Sequence, residues 1–124
     1  MPHSLDYLLV HAIFATKNRD LFLSDENIRK ELYAMMASSF REHESPARII
    51  GGTDDHVHAL IHLSRNQPLA KVIGEAKRVT SIWIKTKGNE YDAFAWQAGY
   101  AAFSVSASLE KKVRQYIADQ ESHH

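Results

Sequence analysis

A ten-residue stretch near the middle of the chain alternates between two kinds of side chain. It reads Asp54-Asp55-His56-Val57-His58-Ala59-Leu60-Ile61-His62-Leu63. Successive side chains of a β-strand point to opposite faces, so an alternating run predicts a strand with one face in a core. The residues expected on the buried face are Val57, Ala59, Ile61 and Leu63, and those expected on the other face are His56, His58, Leu60 and His62.

The second face of this strand places two imidazoles side by side. His56 and His58 are separated by roughly 7 Å along a strand and point the same way. Neutral imidazole is the commonest metal-binding side chain, and two on one face can reach a single divalent ion. The alternative is a half-exposed strand whose histidines bind nothing, and the spacing alone leaves that alternative open.

The composition bounds the class of protein. A chain of 124 residues predicts a single domain over residues 1–124. The absence of cysteine excludes disulfides, thiolate zinc sites and a cysteine nucleophile. The N-terminus does not resemble a signal peptide and no stretch is long enough to span a membrane, so we expect a soluble, cytoplasmic protein without membrane contacts.

The charge is balanced overall but uneven along the chain. The formal net charge is zero, which does not indicate a nucleic-acid binder. Between Arg65 and Lys87, however, six basic residues stand against one acidic residue. This excess suits phosphate contacts, and its alternative is a solvated helix face.

Periodicity and turn residues predict the remaining elements. Ser24 is the expected N-cap of the first helix, Pro68 the expected first residue of the second, and Ser106 or Ser108 the expected cap of the third. The segment Gly51-Gly52-Thr53-Asp54 is predicted to be a turn. The predicted strands are 5–15, 47–50, 54–63, 94–97 and 100–105, and the predicted helices are 25–43, 68–85 and 107–120. This order predicts an α+β, ferredoxin-like fold: an antiparallel sheet with helices packed on one face, plus a C-terminal helix.

The last predicted helix carries a second pair of polar side chains. Tyr116 and Gln120 are four residues apart, so they lie one above the other on the same face. Tyr116 falls only about 20° from Leu109 around the helix axis, inside the apolar stripe. The alternative to a chemical role is therefore a tyrosine at the edge of the core with its hydroxyl at the rim.

Four segments together resemble one known family. The chain resembles the single-tyrosine HUH transposases, the insertion-sequence 200/605 group that includes the repeat-associated tyrosine transposases. The resemblance covers nearly the whole chain. The segments that carry it are VHAIFATKNR at 10–19, DHVHALI at 55–61, WQAGYAAFS at 96–104 and YIADQESHH at 116–124.

The resemblance implies that the protein is an enzyme and gives roles to particular residues of its active site. His56 and His58 become the paired metal ligands, Gln120 the third ligand through its carbonyl oxygen, and Tyr116 the nucleophile. The implied reaction is the cutting and rejoining of single-stranded DNA through a covalent 5′-phosphotyrosine. The implied cofactor is a divalent metal, with Mg²⁺ or Mn²⁺ favoured, although the ligand types also suit Ni²⁺ and Zn²⁺.

The resemblance also implies partners. Single-stranded or hairpin DNA is the expected substrate, and a homodimer is the expected assembly. The residues expected to touch DNA are Lys77, Arg78 and Lys85 at the backbone and Trp96 and Tyr100 by base stacking. For both aromatic residues, packing under the sheet edge is the alternative.

The remaining expectations concern two neighbours of the paired histidines and the end of the chain. Asp55 either orients a ligand imidazole from behind or only shapes the turn, and His62 is expected to be a neighbour rather than a ligand. Family members usually continue with a basic helical tail, so we expect a truncated C-terminal tail.

Two other functions compete with catalysis. The first is a catalytically inactive or domesticated relative that only binds structured nucleic acid. The second is a plain metal- or ligand-binding ferredoxin-like domain without a nucleic-acid role.

Overall fold

A computed structural model of the protein describes residues 7–122. Within these residues, three helices and four strands follow one another, with short 3-10 turns between some of them. The bounds are β1 Tyr7–Ala15, α1 Glu26–Glu42, β2 Ala47–Gly52, β3 His56–Ser64, α2 Leu69–Ile84, β4 Ala101–Val105 and α3 Glu110–Ala118. In this part of the chain no helix has the length and apolar content needed to cross a membrane.

The four strands form one antiparallel sheet in the order β2-β3-β1-β4. The predicted α+β class and ferredoxin-like strand arrangement are therefore confirmed. Strands β1 and β3 lie at the centre of the sheet, and β4 lies at one edge beside β1. Because β3 lies at the centre of the sheet, the residues between its histidines are apolar.

The predicted alternation along β3 is confirmed by what each face contacts. Val57, Ala59 and Ile61 are fully buried in the main core, which also contains residues of α1 and α2. On the other face, Leu60 packs with Leu9 of β1 and Ile117 of α3 in a separate small cluster. Helices α1 and α2 thus cover one face of the sheet, and α3 packs on the opposite face.

The helix starts differ from the prediction by about one residue. Asp25, not Ser24, caps α1, because its carboxylate accepts hydrogen bonds from the N–H groups of Asn27 and Ile28 at 2.9 and 3.1 Å. The hydroxyl of Ser24 instead donates to the carbonyl oxygen of Leu21. Pro68 has an extended backbone and is the N-cap of α2 rather than its first helical residue. Ser24 and Asp25 are both residue types that suit an N-cap, so the local sequence does not distinguish them.

The glycines at 51 and 52 belong to a strand and not to a turn. Both continue β2, where Gly51 pairs with His58 and Gly52 with Val57. The predicted strand at 94–97 is wrong, because that segment makes only an isolated bridge between Thr16 and Trp96. Residues 5 and 6 of the predicted first strand lie outside the described residues.

The C-terminal helix is shorter than predicted. A 3-10 turn over Ala107–Leu109 precedes α3, and a second over Asp119–Ser122 follows it. Ser106 precedes the first turn without a capping hydrogen bond from its side chain. Gln120 consequently lies in the 3-10 turn that follows α3, and residues 123–124 lie outside the described part of the chain.

Candidate active site

A groove of about 400 Å³ lies where β1 and β3 meet the C-terminal helix and the loop before β4. Four residues that the sequence predicted for the site line this groove. They are His56, His58, Tyr116 and Gln120. Residues more than 50 positions apart in sequence meet here because α3 packs over the histidine-bearing face of β3.

His56 is held from behind by a carboxylate. Its Nδ1 lies 2.8 Å from the carboxylate of Asp55 and 2.9 Å from the hydroxyl of Thr53. A carboxylate only accepts hydrogen bonds, so Nδ1 donates to Asp55 and Nε2 is left as the nitrogen that can bind an ion. Of the two roles considered for Asp55, this contact favours the orienting role.

Asp55 is fixed in turn by Arg19, whose guanidinium donates two hydrogen bonds to it at 3.1 and 3.3 Å. Partial burial alone would raise the pKa of Asp55, but hydrogen bonds and charge from His56 and Arg19 outweigh it and lower the pKa. Arg19 and the preceding Asn18 both have left-handed backbones, with φ of 57° and 59°. This conformation is uncommon for residues other than glycine and often occurs next to functional sites.

His58 is more deeply buried than His56, with 4 % of its surface exposed. Its Nδ1 lies 2.9 Å from Nε2 of His11, which is itself 9 % exposed. Burial, followed by the charges of His11 and His56, lowers the pKa of His58 to about 4. Burial likewise lowers the pKa of His11. Both rings are therefore neutral near pH 7, which is the form of imidazole that binds metals.

His11 was not among the predicted site residues. The β1 segment that contains it was quoted for the family resemblance, but only the register of β1 on β3 brings its ring to His58. In that register His11 pairs with Leu60 and Ile13 pairs with His58. A hydrogen bond between histidines 47 positions apart has no signal in a single sequence.

Tyr116 lies at the groove and not in the core. Its side chain is 54 % exposed, and its ring contacts His58 edge-on with centroids 5.7 Å apart and His11 with centroids 6.1 Å apart. The neighbouring Ile117 takes the buried position instead. The exposure of Tyr116 favours a position at the groove over one inside the core, and its ring contacts the histidines of its own chain.

Gln120 and its neighbour fix the turn after α3. The amide nitrogen of Gln120 donates to the carbonyl oxygen of Tyr116 at 3.3 Å. This hydrogen bond uses the amide nitrogen, which cannot bind a metal. Glu121 accepts from the buried guanidinium of Arg29 in α1 at 3.4 Å. This ion pair anchors the turn to the opposite layer of the molecule.

The spacing of His56 and His58 is within the range that one divalent ion requires. With metal–nitrogen bonds of about 2.1 Å, two imidazoles on one ion have ring centroids about 5 Å apart. The observed separation between His56 and His58 is 5.1 Å. Within residues 7–122 no three His, Cys, Asp or Glu side chains surround one metal position. Any third protein ligand would therefore be of another type, such as the amide oxygen of Gln120.

The predicted DNA-contacting cations differ in their surroundings. The ammonium group of Lys77 donates to the carbonyl oxygens of Gln97 and Gly99, each at 2.8 Å, and so holds the loop that lines the groove. Arg78 forms an exposed ion pair with Glu75 at 2.9 Å. Lys85, the C-cap of α2, is exposed.

The two predicted stacking residues also differ. Trp96 packs edge-on against Phe14 and Phe94, and its indole N–H donates to Thr80 at 3.1 Å. This favours the packing alternative for Trp96. Tyr100 is 39 % exposed and lines the groove. His62 is absent from the lining of the groove and contacts Arg48 at 3.2 Å.

Comparison with known proteins identifies the family. Residues 4–120 match the family described as "Transposase IS200 like". The chain belongs to this family. No curated protein matches the transposase. Two solved structures share its fold, at identities too low to show more than the fold.

The first is a candidate transposase from Deinococcus radiodurans R1, with 20% identity and a TM-score of 0.72 over 98% of this chain and 96% of that chain. The second is a REP-associated tyrosine transposase bound to a REP hairpin, with 12% identity and a TM-score of 0.70. That match covers 96% of this chain and 69% of the other. Both matches therefore span nearly the whole of this chain.

Replacing Gly51 should displace the helix that carries Tyr116. A Cβ at Gly51 would lie 2.7 Å from the carbonyl oxygen of Ile117, which is too close for any side chain. We expect Gly51→Ala to lower the free energy of unfolding by about 1–3 kcal/mol, as in other overpacked sites. Urea denaturation of the transposase measures this change.

Gly74 provides the matched control. A Cβ at Gly74, in α2, meets nothing within 4 Å. Gly74→Ala should therefore raise the free energy of unfolding by up to about 1 kcal/mol through helix propensity. Equal stability of the Gly51→Ala variant and the wild type would contradict the tight packing of α3 on β2.

The buried His58 should make the metal-free transposase less stable in acid. The pKa of an unperturbed histidine is 6.5 and that of His58 in the folded protein is about 4, so the unfolded chain binds more protons between these values. The stability that His58 contributes is fully present above pH 6.5 and decreases as the pH falls toward 4. Urea denaturation between about pH 7 and pH 4.5 measures the slope. His58→Asn should reduce it, and a variant with the wild-type slope would show that His58 is not responsible.

Proposed function

We propose that this IS200-like transposase cuts and rejoins single-stranded DNA through a covalent bond between DNA and Tyr116. In this proposal His56, His58 and Gln120 hold one divalent metal ion. The observation that carries it is the exposed phenol of Tyr116 lying edge-on against His58, with ring centroids 5.7 Å apart in the same chain. The cis arrangement needs no second subunit to bring nucleophile and ligands together.

The chemistry conserves the energy of the phosphodiester. The oxygen of Tyr116 loses its proton to solvent and attacks phosphorus in line, forming a new P–O bond. The bond from phosphorus to the 3′-oxygen breaks, and that oxygen leaves as a 3′-hydroxyl after taking a proton. Because the resulting 5′-phosphotyrosine is still a phosphodiester, a 3′-hydroxyl can reverse the step without a nucleotide cofactor.

When bound, the metal would polarise the scissile phosphate and offset its negative charge. The protein residues do the rest. Asp55 and the strand backbone orient His56, and burial keeps His58 neutral. The short path from Tyr116 to Gln120 couples the position of the attacking oxygen to the ligand set. The amide and phosphate oxygens suit Mg²⁺ or Mn²⁺, and the two imidazoles also suit Ni²⁺ and Zn²⁺.

Single-stranded or hairpin DNA is the proposed substrate. One structural neighbour is bound to a REP hairpin. Tyr100 supports this proposal because it is partly exposed beside the groove, where a base can stack on it. Arg78 and Lys85 are proposed to contact the DNA backbone from the exposed face of α2. Lys77 and Trp96, by contrast, would act mainly by holding the loop that carries Tyr100.

The decisive experiment is capture of the covalent adduct. The wild-type transposase should form a protein–DNA adduct with labelled single-stranded hairpin DNA in Mn²⁺ or Mg²⁺, visible as a shifted band on a denaturing gel. Tyr116→Phe should abolish the adduct because it lacks the attacking oxygen, and EDTA should do the same. Tyr91→Phe is the matched control, since Tyr91 lies in the 3-10 turn Asn89–Tyr91 and is absent from the groove lining, and it should form the adduct normally.

Fluorescence anisotropy with the same hairpin separates catalysis from binding alone. Tyr116→Phe should retain salt-sensitive DNA binding. If the wild type binds the hairpin but forms no adduct on any DNA tested, the protein is a binding relative and the catalytic proposal is wrong. If it shows no affinity at low salt, both nucleic-acid roles are wrong.

A homodimer is the proposed assembly. Strand β4 lies at the sheet edge, and Phe103 on that strand is 56 % exposed. Edge strands with exposed apolar side chains tend to pair with another chain. Sedimentation equilibrium should give twice the 14.1 kDa chain mass, and Phe103→Asp should shift the equilibrium toward the monomer. A wild type that stays at the single-chain mass at every concentration tested would rule the dimer out.

A further inference from the structure

His11 makes a buried contact that the proposed reaction does not use. Its Nε2 lies 2.9 Å from Nδ1 of His58, and both rings are buried. The ring of His11 is also flanked by Phe103 at 6.3 Å and by Tyr116 at 6.1 Å between centroids. Two buried histidines joined by one hydrogen bond constrain each other's protons, because only one of the two nitrogens can carry the shared proton.

The direction of this hydrogen bond decides which nitrogen of His58 can bind an ion. If Nδ1 of His58 carries the proton, it donates to Nε2 of His11 and leaves a free lone pair on Nε2 of His58. If His11 donates instead, the neutral His58 must carry its proton on Nε2, which blocks that nitrogen as a ligand. Only the first arrangement lets His58 share an ion with His56.

The neighbouring ligand already shows the first arrangement. Nδ1 of His56 donates to Asp55 at 2.8 Å, so its proton is held on Nδ1 and Nε2 is presented. Ligand histidines almost always donate their second N–H to such an acceptor, and loss of the acceptor typically weakens metal binding by about 10- to 100-fold. For His58, the nitrogen of His11 occupies the place that the carboxylate of Asp55 occupies for His56.

We propose that His11 is a positioning residue of the active site, which accepts a hydrogen bond from Nδ1 of His58 and thereby presents Nε2 of His58 to the metal. The inference rests on the proposed metal-binding function and adds a residue to it. His11 itself touches neither the metal nor DNA in this role. Its own proton then lies on Nδ1, the tautomer that leaves Nε2 able to accept.

Two substitutions separate positioning from mere packing. His11→Leu fills the space with an apolar side chain and removes the acceptor. His11→Gln keeps an acceptor, because the amide oxygen of glutamine reaches about as far as Nε2 of histidine. His62→Leu is the matched control on the same face of β3, away from the groove. Thermal unfolding of each variant reports whether it folds.

The first measurement is the tautomer of His58 in the metal-free protein at about neutral pH, from ¹⁵N NMR of the imidazole. We expect the Nδ1–H tautomer in the wild type and in His11→Gln, and a shift toward Nε2–H in His11→Leu. The second measurement is the affinity for Mn²⁺ by calorimetry. His11→Leu should bind about 10- to 100-fold more weakly, whereas His11→Gln and His62→Leu should stay within a few-fold of the wild type.

The outcomes distinguish this inference from the proposed function. A wild type with His58 in the Nε2–H tautomer overturns the inference, and so does a folded His11→Leu variant with wild-type tautomer and Mn²⁺ affinity. If the wild type binds no Mn²⁺, the proposed metal-dependent function is wrong. In that case the tautomers of the metal-free proteins still show whether His11 orients His58. If His11→Leu fails to fold, a His11→Gln variant with Nε2–H at His58 counts against the inference.

Discussion

Strand β3 is buried on both faces, and this double burial governs where the groups of the candidate active site lie. One face packs Val57 and Ala59 under α1 and α2, while the other holds His58 and Leu60 beneath α3. Burying an imidazole costs free energy unless its nitrogens are hydrogen-bonded. The hydrogen bond between His58 and His11 satisfies one nitrogen of each ring in the centre of the sheet. The same burial that stabilises the fold therefore also fixes a histidine ring and keeps it uncharged.

The helix that carries Tyr116 is attached to the sheet by contacts of three kinds. Ile117 fills an apolar cluster, Gly51 allows the two backbones to approach closely, and Arg29 holds the turn after the helix through Glu121. These contacts lie on the buried side of the helix or at its end. The phenol of Tyr116 is thus left exposed at the groove while its backbone is held firmly. Such an arrangement suits the role proposed for Tyr116, because its side chain is accessible to a large substrate while the helix keeps its position.

Much of the fold was predictable because it follows from local periodicity. The alternation over β3 and the helical stripes of α1 and α2 gave the order of elements, and that order limits the sheet to few topologies. The errors occurred where tertiary contacts override local preference. Residues 94–97 are apolar and aromatic like a strand, yet they pack as a loop against Phe14 and the helix α2. Gly51 and Gly52 look like a turn, but β3 pairs with both and extends the strand.

The sequence by itself determined which faces of β3 are apolar and which carry histidine, and its four family-like segments indicated the transposase family. Those properties depend on residues close together in the chain. Only the tertiary structure decided that Tyr116 is exposed beside His58, that Lys77 supports a loop, and that His11 is the partner of His58. These facts depend on strand register and helix docking, which set distances between residues tens of positions apart. Such distances are fixed by the packing of the whole sheet and have no counterpart in local sequence.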